Sequence, residues 1–171
     1  STSSRVNARF LVIGYRDTDG TRSLPPMEGT LDKTGRLGFV SANDAVRFLQ
    51  GLQAGEGGDP QEAIWDALYL LKDVPVTPGA LRVLVLVGDT PSVSVTRGMT
   101  YKGSVVPPGL NKQKVLAAIN DTIGSSTAFL ALLVKAPFMK VTAEEILKGN
   151  EFVYHDFQLL TQDDRTRVEE R

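Results

Sequence analysis

The chain has 171 residues, 42% of them hydrophobic and 23% charged, with a formal net charge of −1, the profile of one soluble globular domain able to bury a sizeable core. Its Lys and Arg residues are scattered and form no basic stripe, which argues against nucleic acid as a partner. It has no cysteine, which excludes disulfides, thiolate metal sites and cysteine nucleophiles and leaves the compartment open.

The longest apolar stretch, Ala128–Val134, falls far short of the ~20 residues a membrane span needs, and no secretory signal is legible. The first residue is Ser1 and the first methionine Met27, so the chain is expected to be a processed or excised piece of something longer.

In chain order, the apolar run Arg9–Tyr15, ended by Arg16-Asp17, reads as a buried strand. Residues 18–36 carry Asp, Gly, Thr and two prolines and read as a long irregular excursion with room for a short edge strand. Ser41 starts a helix, with Asp44 three residues on as a near-capping box. Ala42, Ala45, Val46, Leu49 and Leu52 share one face of it at helical spacing. The next helix has the strongest start signal in the chain: Asp59 as N-cap, Pro60 at N1 and Glu62 at N3. Ala63, Ile64, Ala67, Leu68 and Leu71 form its apolar stripe, and Pro75 and Pro78 close it. Trp65 on this helix fits either core or a partner surface.

Arg82–Gly88 reads as a buried strand, residues 90–110 as a second long loop, and Asn111 as the cap of a helix turning Val115, Leu116, Ile119 and Ile123 inward. Thr127–Val134 is a further buried strand. Thr142 and Glu145 frame a short helix, and Glu151–Leu160 is a final strand. No repeat, low-complexity tract or linker interrupts the pattern, so residues 1–171 read as a single domain with its core in 5–160 and a charged tail at 161–171. Strands alternating with helices imply parallel pairing and right-handed crossovers. The expected fold class is α/β: a doubly wound, mostly parallel, Rossmann-like sheet with helices on both faces.

Such sheets bind ligands outside the carboxyl ends of their strands, near the point where strand order reverses. Asp59 at a helix start, Asp89 just past strand 82–88 and Asp17 just past strand 9–15 are the acidic groups placed there. Each has a plainer role: Asp59 as a helix cap, Asp89 as a turn residue, Asp17 as a partner of Arg16. His155 is the single histidine and reads as structural. A Ser-His-Asp set could be assembled on paper from Ser92 or Ser94, but no Gly-x-Ser-x-Gly elbow supports it. The glycines at 55, 57 and 58 are not followed by Gly-Lys-Ser/Thr, which excludes a P-loop. Asn120-Asp121-Thr122 fits a glycosylation sequon on a helix and reads as coincidence.

Three elements, in order, carry a family resemblance: Gly14-Tyr15-Arg16-Asp17 after the first strand, Gly57-Gly58-Asp59-Pro60-Gln61-Glu62-Ala63 leading a helix, and Val85-Leu86-Val87-Gly88-Asp89-Thr90-Pro91. Over roughly residues 8–136 the chain resembles a von Willebrand factor type A (VWA) domain of the Y-R-D, G-G-D-x-P-E-A, G-D-x-P subgroup. The resemblance implies a doubly wound sheet and a metal-ion-dependent adhesion site at its carboxyl edge. There Mg²⁺ would be held by an Asp-x-Ser-x-Ser loop, a residue of a second loop and an Asp after a later strand. Carried over, Asp59 takes the second-loop position and Asp89 the third; by their own place after the strands, Asp17 and Thr90 are the further candidates for the partner-binding edge.

The chain departs from the family in having no Asp-x-Ser-x-Ser and no first strand before Val6, so it reads as N-terminally incomplete. Because Mg²⁺ asks for near-octahedral oxygen ligation, this chain alone is expected to bind it weakly or not at all. In the family the absent strand lies between the strands at 9–15 and 82–88, and its loss would leave exposed edges. The slot is expected to be filled by a segment on a separate chain, by a strand exchanged in a homo-oligomer, or by rearrangement of Glu151–Leu160.

The leading expectation is a non-enzymatic protein-interaction module binding a partner protein at this edge. The competitors are a hydrolase or nucleotide-binding enzyme on a Rossmann-like sheet and a structural assembly subunit.

Overall fold

The computed structural model of the protein describes residues 7–16, 27–53, 62–88, 93–123, 127–134 and 152–157. The chain divides into two compact units, Ser1–Val76 with Val93–Thr122, and Thr77–Ser92 with Ile123–Arg171. Each is taken by itself.

In the first unit, strand β1 (Ile13–Tyr15) pairs antiparallel with β2 (Met27–Gly29), Ile13 opposite Gly29 and Tyr15 opposite Met27. A bridge between Phe10 and Val40 continues the pairing on the other side of the run. The stretch 9–15 was expected to be a buried member of a parallel sheet; β1 is half-buried and antiparallel. An unbroken apolar run records burial but not strand direction, and here the excursion at 18–36 supplies the partner.

Residues 31–37 form a hairpin closed by Asp32 N–H on the Arg36 carbonyl (2.8 Å) and Gly35 N–H on the Asp32 carbonyl (3.0 Å). Gly35 takes the left-handed conformation such a turn requires, φ 77°. The Asp32 carboxylate accepts from Thr34 Oγ1 (2.6 Å), Thr34 N–H and Arg36 N–H. The Thr34 hydroxyl first, and the two amides after it, hold its pKa below the ordinary 3.8.

Helix α1 (Ala42–Gly51) starts as expected. Ser41 is its N-cap, its Oγ accepting from Asp44 N–H at 3.2 Å and donating to Asp44 Oδ2 at 2.7 Å. Its apolar face is set differently from the expectation: Ala45 is buried, whereas Val46 and Leu49 are each 52% exposed. The buried line runs through Ala45 and the half-buried Phe48 and Leu52, so the helix is rotated and part of its apolar stripe meets solvent.

Helix α2 (Ile64–Tyr69) passes into a 3₁₀ turn, Leu70–Asp73. Every residue from Ala63 to Leu68 is buried, including Trp65, so Trp65 belongs to the core. This helix starts later than its sequence signals suggest. Ala63 is the N-cap, without a side-chain hydrogen bond, and Glu62, expected at N3, precedes the helix. Burial on all sides, rather than capping, fixes this element. Met27, Leu37, Ala67, Leu70, Val74 and Val106 form its shared core, each fully buried large side chain contributing about 1.5–3 kcal/mol.

The loop expected at 90–110 contains a hairpin, β4 (Met99–Tyr101) with β5 (Ser104–Val106). Lys102 (φ 49°) and Gly103 (φ 89°) make its two-residue turn, the double positive φ of a type I′ connection. Helix α3 (Lys112–Ile123) is capped by Asn111, whose Oδ1 accepts from Lys114 N–H at 3.1 Å. It buries Val115 and Ile119 as the periodicity predicts.

The second unit holds β3 (Arg82–Gly88), β6 (Thr127–Val134) and β7 (Phe152–Phe157) as one parallel sheet in the order β3-β6-β7. All three strands fall where the sequence places them. β7 neighbours β6 and not β3, so Phe152–Phe157, the described part of the stretch 151–160, does not fill the slot beside 82–88 that one of the expectations gave it. Along β3, Leu86 is buried, while Val83 and Val85 are 59% and 46% exposed. Parallel sheets ordinarily cover both faces; one face of β3 is open.

Candidate functional site

The carboxyl end of β1 is anchored by Arg16. Arg16 is buried, and its Nη1 donates to Glu28 Oε1 at 3.0 Å. Its Nε and Nη2 donate to the Gln53 carbonyl at 3.2 and 2.7 Å. One guanidinium thus fastens three pieces: the end of β1, the middle of β2 and the chain just past α1. Charge-assisted bonds of this kind are shorter and stronger than neutral ones. Arg16 is followed directly by Asp17, and Gln53 leads into the segment that carries Asp59.

A second fastening lies at the far end of that segment. Glu62 presents its carbonyl to Val93 N–H at 3.1 Å and to Ile64 N–H at 2.9 Å. Val93 follows the segment carrying Asp89 and Thr90. The residues that bound segments 17–26, 54–61 and 89–92 are therefore tied in two pairs within the first unit, Arg16 to Gln53 and Glu62 to Val93.

The chain after Val93 is held firmly. Asp66, in α2 and 0% exposed, accepts from Gly98 N–H with Oδ1 (2.9 Å) and from Arg97 N–H with Oδ2 (3.1 Å). Desolvation raises its pKa above 3.8, against the pull of those two amides and the Arg97 charge. Thr96, also buried, donates its hydroxyl to the Pro107 carbonyl (2.6 Å) and accepts Leu110 N–H (2.9 Å). Gly98 adopts φ 86° with Pro108 pressed against it. On the other side of the core, Tyr101 Oη accepts Gly29 N–H at 2.7 Å, joining the β4-β5 hairpin to β2.

Asp17, Asp59, Asp89 and Thr90, the metal and edge residues expected from the sequence, lie outside the described residues, as does Ser92. Ser94 stands exposed at a bend, and His155 lies in β7 opposite Leu132 of β6. Among the described residues no group of three or more His, Asp or Glu side chains could hold a metal ion, and no helix is long and apolar enough to cross a membrane. Sequence reasoning missed Arg16 as a fastener and Asp66 as the buried acceptor. The signal for Asp66 was present: one carboxylate inside the otherwise apolar series Ala63–Leu68 that faces the core on every side.

No family model, no curated protein and no solved structure matches the chain.

Proposed function

We propose that the chain is a non-enzymatic protein-interaction module of VWA type, built on a doubly wound α/β sheet, that takes a partner protein at the rim bearing Asp17, Asp59, Asp89 and Thr90. The observation that carries this reading is the pair of fastenings, Arg16 to Gln53 and Glu62 to Val93. They draw together the ends of segments otherwise distant in sequence, and loops held on a rigid scaffold are where proteins place recognition. Asp59 and Asp89 would be the carboxylates turned toward Mg²⁺, which would offer a partner's acidic side chain a coordination position. Without paired serine hydroxyls such a site is weak in this chain alone.

The place of β3 at one end of the order β3-β6-β7 supports a second part of the proposal, that a complementary segment or a second copy supplies a strand beside β3. Among the described strands β3 pairs with β6 alone, and an edge of this kind, seven residues long, is what strand addition extends.

Calorimetric titration with Mg²⁺ or Mn²⁺, paired with light scattering across a range of protein concentrations, tests both parts. Weak heat abolished by Asp89→Asn is the expected metal result, and no heat at millimolar ion removes the metal. Concentration-dependent dimers are expected from strand exchange. A chain that stays monomeric at every concentration would remove exchange between copies.

A further inference from the structure

We draw no further inference here: the strongest candidate, the apolar stripe of Val46 and Leu49 left exposed along α1, carries nothing because no feature of the structure shows what covers it.

Discussion

Replacing Asp66 with Asn is the sharpest perturbation of the first unit's scaffold. The side chain keeps its size, but only one of its two terminal atoms can still accept a hydrogen bond. Arg97 N–H and Gly98 N–H now each bond to a separate carboxylate oxygen, at 3.1 and 2.9 Å. In the variant one of those part-buried amides faces an NH₂ group and loses this bond, a loss of about 1–3 kcal/mol. The neutral amide no longer carries a buried charge, which offsets part of this. The net expectation at neutral pH is a destabilisation of about 1–2 kcal/mol, read as a lower urea midpoint at unchanged slope.

The pH dependence has a definite sign. The folded-state pKa of Asp66 lies above 3.8, so its favourable contribution is complete below that value and is lost as pH rises through the folded value. The stability gap between the native protein and Asp66→Asn should therefore widen as pH is lowered from neutral toward 3.8. Amide exchange should quicken locally at Arg97 and Gly98 in the variant. A variant as stable as the native protein, with both amides equally protected, would refute the claim that this carboxylate pins the chain after Val93.

Gly29→Ala should lower the melting temperature through crowding. A methyl group there would overlap Leu37 Cδ1 and come within 3.4 Å of the Val12 carbonyl. Leu37 belongs to the core, so a destabilisation of about 1–3 kcal/mol is expected; an unchanged melt would show that Leu37 has room to move. Asp32 makes a contribution of opposite pH sign to that of Asp66. Its lowered pKa gives stability present above 3.8 and lost as pH falls through its folded value. Carbon-detected NMR should find the Asp32 carboxyl titrating below 3.8, and Thr34→Val should move it upward; a titration at the ordinary value in both proteins would contradict the hydrogen-bonded turn.

Helix starts with a side chain able to cap them were legible in the sequence: Ser41 with Asp44, and Asn111 before Lys112. So were the three strands of the second unit, Arg82–Gly88 and Thr127–Val134 as apolar runs and Phe152–Phe157 as part of a stretch with mixed faces. Strand direction was not legible, since the run at 9–15 has the same composition whether its neighbour runs parallel or antiparallel. The turn at Lys102-Gly103 escaped notice because Lys lacks the usual preference for positive φ that marks Asn-Gly and Asp-Gly turns. The start of α2 was misplaced for a different reason. Asp59-Pro60 and Glu62 satisfy every local preference for a helix start, yet Glu62 is engaged through its carbonyl by Val93, and tertiary pairing outweighed local preference. The rotation of α1 belongs to the same class: which part of an apolar stripe is buried depends on the neighbour against which it packs. The fastener Arg16 sits inside the very Tyr15-Arg16-Asp17 element that the resemblance rests on. A sequence reading attends there to the carboxylate rather than to the guanidinium beside it.

The proposed gathering of Asp59 and Asp89 at one rim is tested most directly by pulsed electron-spin distance spectroscopy. The chain has no cysteine, so Asp59→Cys and Asp89→Cys can be labelled as a pair without background. Asp59 is three residues from Glu62 and Asp89 four from Val93, and Glu62 is bonded to Val93. A rim in which both segments turn inward predicts a narrow distribution centred at about 20 Å or less, well inside the ~30 Å that fully extended segments would allow. A broad distribution near that limit would place the two carboxylates apart and contradict the account.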